Sequence, residues 1–171
     1  GGYFADETSQ VLYQHSFAVL ALSEVWGQSK RKEIGDALKV AVDILLRAQG
    51  PHGGWRYAAH PTGGHDISCT GTAVQAISSA KEAGILVPDN VIDRAHNCIK
   101  KYQVERTGLF GYSHGGGGGS EANLYRAGIG PLSLFLLGDR ESITLRRGLR
   151  VLYKYPDSVF TSAGYYYLGH Y

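Results

Sequence analysis

The chain has 171 residues, 43% of them apolar and 19% charged, with a net charge of +2. That size and balance suit one globular domain with a sizeable core, give no electrostatic case for nucleic-acid binding, and leave no apolar run near the roughly 20 residues a membrane span needs. The start of the chain carries no signal-peptide pattern, so it reads as soluble with its compartment unassigned, and the absence of Met reads as a processed chain or a piece of a longer one.

In chain order, helical periodicity predicts helices near 9–26, 31–48, 67–83, 89–103, 121–137 and 141–154, with a last helical segment over Ser158–Tyr171. The first, third and fifth are small and apolar nearly all round. Ala18, Val19, Leu20, Ala21 and Leu22 leave no polar face, which predicts burial on both sides. The second is amphipathic, with Leu38, Val42, Leu45 and Leu46 on one stripe and Lys39, Asp43 and Arg47 on the other. Gly27, Gly84 and Gly138 each follow a helical run and suit the left-handed position that ends a helix. Strand signals are weak. The two cysteines, Cys69 and Cys98, make no disulfide framework.

The chain repeats itself. Residues 94–112, RAHNCIKKYQVERTGLFGY, lie over 40–57, VAVDILLRAQGPHGGWRY. Gln49 aligns with Gln103, Gly53 with Gly108, Trp55 with Phe110 and Tyr57 with Tyr112. A third copy begins at Arg147 and Gly148 and continues with Val151 and Leu152, but Pro156 stands where Gln is expected. Each unit is a helix, a short turn, a second helix and a longer Gly-rich loop. An inner buried helix beside an outer half-wet helix, repeated, predicts an all-α ring of hairpins.

The Gln-x3-Gly-x-Trp string at 49–55 and its relative at 103–110 resemble the QW repeat of triterpene (squalene) cyclases, whose α/α-toroid is shared by protein prenyltransferase β-subunits. The resemblance covers nearly the whole chain and extends to bacterial prenyltransferase/squalene-oxidase-repeat proteins. It implies a single α/α-toroid domain over 1–171, about three and a half hairpins, hence a half-ring or fragment. It also implies structural work for the repeat: Gln49 and Gln103 capping a helix end, Trp55 and Phe110 packed over turns that Gly53 and Gly108 permit. A half-ring would expose an apolar edge, so a homo-oligomer or a missing second half is expected.

Both long loops, 50–66 and 104–120, run from an outer to an inner helix and so lie at one mouth of the ring. Inner-helix N-termini, which favour anions, point there too. Candidate catalytic groups are Asp66 and His65; candidate substrate-binding groups are His15, Arg56, Tyr57, Tyr112, His114, Arg126 and Tyr166. His15 also reads as a packing histidine, and Asp66 or Ser68 as the N-cap of the helix that follows. Prenyltransferases hold zinc with Asp-x-Cys and a distant His, so the resemblance offers Asp66, Cys69 and His170 as zinc ligands, although Cys69 falls one residue late. The acid motif DxDD and the metal-diphosphate motif DDxxD are absent. The glycine run 115–119 lacks the Lys-Ser/Thr of a P-loop. The resemblance therefore points to an isoprenoid-like apolar ligand in a central cavity. The alternatives are a non-catalytic binding module and a pectate-lyase-like site using Asp66, Glu121 and an arginine.

Overall fold

A computed structural model describes residues 10–113 and 126–154. Six helices appear: α1 (Val11–Ser29), α2 (Lys32–Ala48), α3 (Ile67–Glu82), α4 (Asp89–Lys101), α5 (Ile129–Leu136) and α6 (Ile143–Lys154). The protein is all-α; among the described residues the one β-type pairing is an isolated bridge between Gln103 and Phe110. The Ser158–Tyr171 segment, His114, Glu121, Tyr166 and His170 lie outside the described residues.

The helices form two layers. α1 packs on α3 and α3 on α5, making an inner row. α2 lies against α1 and α3, α4 against α3 and α5, and α6 against α5. α3 holds the centre and is buried along nearly its whole length. Its residues Cys69, Ala73, Ala76 and Ala80 share a core with Leu12 and Val19 of α1 and Leu38, Val42 and Leu45 of α2. On its other side Ile67 joins Ile99, Phe110, Ile129 and Leu134. Small side chains on both flanks let neighbouring helices approach closely.

Burial on both sides is therefore true of α3 and not of α1. Phe17 and Val25 are 49% and 48% exposed, since among the described helices α1 has an inner-row neighbour, α3, on one side only. Gly27 is also reassigned. Helix α1 runs through it to Ser29, and the left-handed residue is Lys30, at φ 51°. Gly84 and Gly138 do take the left-handed turn, at φ 95° and 93°. α5 starts at Ile129, since residues 126–128 form a turn.

The repeated string ties the layers together. Gln49 does not cap its own helix end with its side chain. Its Nε2 donates to the Gly53 carbonyl in the loop (2.9 Å) and to the Val91 carbonyl of α4 (3.0 Å). Gln103 does the same one unit later, to Gly108 (3.2 Å) and to Thr144 of α6 (2.8 Å). The aromatic does the capping in the first unit. The Gln49 N–H has turned to the Leu46 carbonyl, and the Trp55 indole N–H closes the Leu45 carbonyl at 2.8 Å. Trp55 and Phe110 are both fully buried.

Candidate functional site

The loops come back over the N-termini of the inner helices. The Leu12 N–H donates to the Tyr57 carbonyl and the Ile67 N–H to the Tyr112 carbonyl, both at 2.9 Å. These two bonds are one repeat apart and fix Tyr57 and Tyr112 at the same mouth. Their phenol oxygens meet at 2.5 Å. The Arg56 guanidinium lies over the Tyr57 ring and that of Arg126 over the Tyr112 ring, each 5.4 Å from the ring centre. Such stacking holds a charged head against an aromatic face.

Asp66 sits beneath them, with no exposed side-chain surface. One oxygen accepts the Cys69 N–H at 2.8 Å and so caps α3. The other, Oδ2, has no hydrogen-bond partner among the described residues, and Arg56 Nε stands 4.0 Å from it. Burial raises the Asp66 pKa above the usual carboxylate range, against the pull of the Cys69 N–H and the Arg56 charge. Burial likewise raises the Tyr57 phenol and lowers Arg126. Among the described residues the mouth holds two arginines and one carboxylate of raised pKa, a balance that suits an anion.

The raised pKa has a consequence for stability. Between the unfolded value of about 3.9 and the raised folded value, the folded state holds the proton that the unfolded state has lost. The Asp66 contribution to stability therefore falls as pH rises through that window. Asp66→Asn keeps a capping oxygen and removes the titration. Urea midpoints measured against pH are expected to show a shallower fall above about pH 4 in the variant than in the wild type.

The other expected site residues separate. His15 is fully buried, and its Nε2–H donates to the Ala41 carbonyl of α2 at 2.9 Å. It belongs to the α1–α2 core and not to the mouth, and burial lowers its pKa. His65 points away from Asp66: its Nδ1 pairs with the Tyr102 hydroxyl at 2.5 Å, with Cys98 Sγ at 3.7 Å. Cys69 is buried, its thiol donates to the Arg56 carbonyl at 3.0 Å, and burial pushes its pKa up, disfavouring a thiolate. No three His, Cys, Asp or Glu gather to hold a metal among the described residues, and His170 of the expected zinc set lies outside them. Cys69 and Cys98 are both free thiols.

The structure adds a surface that residue motifs did not single out. On α3, Ser68, Thr72, Gln75, Ser79 and Glu82 recur at helical spacing; Thr72 is buried, Ser68, Gln75 and Ser79 are half-buried, and Glu82 is exposed. They lead from the mouth to a cavity of about 480 Å³ at the other end of the inner helices. Leu20 of α1 and Leu132, Phe135 and Leu136 of α5 line it together with the charged Glu24, Glu82 and Arg140. A polar run at i, i+4 and i+7 inside an Ala/Val/Ile helix was the available signal.

These features define a two-layered all-α array of repeated hairpins, with an arginine-flanked buried carboxylate at one end of its inner layer. Compared with known proteins, the chain matches no family model, no curated protein and no solved structure. No described helix is long and apolar enough to cross a membrane.

Proposed function

We propose that the chain is an α/α-toroid segment of the terpenoid cyclase and prenyltransferase kind, and that it binds an amphipathic ligand. The apolar, isoprenoid-like part lies along the inner face, and an anionic end sits at the mouth between Arg56 and Arg126. One observation carries this reading: the half-buried polar residues Ser68, Gln75 and Ser79 of α3 run from the Asp66 mouth toward a cavity whose wall combines Leu20, Leu132, Phe135 and Leu136 with Glu24, Glu82 and Arg140. From Asp66 to Gln75 is about 14 Å along the helix and to Glu82 about 24 Å, a span suited to an extended prenyl chain. Tyr57 and Tyr112 hold the arginines in place, and Asp66, buried beneath them, fixes the start of α3 through the Cys69 N–H.

Binding, with no reaction, is the function proposed. The Asp66 Oδ1 oxygen is engaged by the α3 cap and the Cys69 thiol by a carbonyl. The test is a fluorescence titration with a dansyl-labelled farnesyl diphosphate analogue. Wild-type protein is expected to bind it saturably. Arg126→Ala and Arg56→Ala each weaken binding by about tenfold or more, since a charge-assisted hydrogen bond contributes about 1.5–3 kcal/mol. The uncharged dansyl-labelled alcohol is bound equally by all three proteins. Absence of saturable binding by the wild type contradicts the reading.

A further inference from the structure

We infer that the cavity among α1, α3 and α5 is a binding site for a small apolar amine, held as its ammonium ion. Its volume of about 480 Å³ lies in the range of small-molecule sites, and its wall is made wholly of described residues. Leu20, Leu132 and Leu136 give it an apolar side. Glu24 enters from α1 and Glu82 from the end of α3. Glu24 accepts the Ser79 hydroxyl at 2.7 Å. Ser79 and Glu82 are i and i+3 on one helix face, so the two carboxylates are neighbours. Neither makes an ion pair among the described residues. The cation of the wall, Arg140, is turned to other partners. Its guanidinium lies 3.9 Å from the Phe135 ring centre and donates to the Phe135 and Asp139 carbonyls.

Ser78 points to the same ligand independently. It stands in the cavity wall, is 8% exposed, and its hydroxyl has no hydrogen-bond partner among the described residues. A helical serine has an acceptor close at hand. Ser16 and Ser23 of α1 donate to the carbonyls four residues back, those of Leu12 and Val19, each at 2.8 Å. Ser78 makes no such bond. A buried hydroxyl left unpaired is costly, and a ligand donor removes that cost. Ser78 and Glu82 are i and i+4, which sets the hydroxyl beside the carboxylates. An ammonium group carries three donors and no acceptor, enough for Ser78 and both glutamates. An alcohol brings one donor, and an anion is repelled by the carboxylates. The site goes beyond the reading above and needs neither Arg56 nor Arg126.

Isothermal titration calorimetry on the intact chain at about pH 7, where the glutamates are charged, tests this with phenethylamine and its uncharged counterpart phenethyl alcohol. The wild type is expected to bind the amine saturably and about tenfold more tightly than the alcohol. Glu24→Gln and Glu82→Gln each weaken the amine by about tenfold and leave the alcohol unchanged. Both residues are exposed, so helical circular dichroism stays at the wild-type value. The Arg56→Ala/Arg126→Ala protein binds the amine as the wild type does, so a failure at the mouth and a failure here are read apart. Absence of saturable amine binding, equal affinity for amine and alcohol, or amine binding that survives both glutamine substitutions overturns the inference. Loss of the amine from the double arginine variant overturns it as well, since that would place the amine at the mouth.

Discussion

Gly53→Ala is expected to destabilise the protein by about 2–5 kcal/mol, read as a lowered urea midpoint with unchanged slope. Gly53 has φ +86°, where a side chain carries a left-handed strain of about 1–2 kcal/mol. An added Cβ would also lie 2.2 Å from the Arg94 carbonyl oxygen, on α4. That oxygen belongs to a helix backbone and cannot swing aside. Relief requires the loop to lift off α4, which also breaks the Gln49 bonds to Gly53 and Val91 and the Arg94 contact to the Gly50 carbonyl, at 2.5 Å. Gly108 repeats the arrangement against the Arg147 carbonyl, at φ +76° and 2.8 Å. Gly27→Ala is the opposite case. It sits inside α1 with nothing within 4 Å of an added Cβ, so it is expected to stabilise by about 0.5–1 kcal/mol.

Trp55→Ala is expected to cost about 3–5 kcal/mol, the usual range for emptying a fully buried aromatic site. Part of that is the cavity left between α2 and α3. Part is the Leu45 carbonyl, which loses the indole N–H and has no replacement in the helix because the Gln49 N–H has turned to Leu46. Trp55→Phe separates the two. Phe110 shows that a phenyl ring fills the equivalent site, so the conservative change is expected to cost about 1–2 kcal/mol, mainly the lost hydrogen bond. Equal losses for the two variants would mean that the ring fills no space of consequence.

Much of the fold was legible because its signals are local and repeated. The alternation of an apolar helix with an amphipathic one placed α2, α3, α4 and α6 within a few residues, and the 54- or 55-residue echo placed Gly53 and Gly108 at equivalent turns. What the residues of α1 could not reveal is where the row stops. Ala18 and Ala21 read as buried because the run from Ala18 to Leu22 has no polar face, whereas Ala18 is half-buried and Ala21 exposed. Gly27 misled for a related reason, since a glycine can sit inside a helix when the chain turns later, at Lys30.

The site divided along the same line. Loop connectivity alone brought Arg56, Tyr57, Asp66, Tyr112 and Arg126 to one mouth. Side-chain direction was not available from spacing, and it separated His65, which faces Tyr102 and Cys98, and His15, which faces α2. The Gln49 side chain was expected to cap a helix end; the carbonyls it reaches are those of the loop and of α4 in the next hairpin. Pairing across units of that kind depends on how hairpins stack.

Photolabelling with a benzophenone-bearing farnesyl diphosphate tests the ligand-binding account most directly. The label is expected on peptides carrying Gln75–Glu82 or Leu132–Leu136, with strong loss in an Arg56→Ala/Arg126→Ala protein. Label confined to the outer helices α2, α4 and α6, or an unchanged pattern without the two arginines, would contradict it.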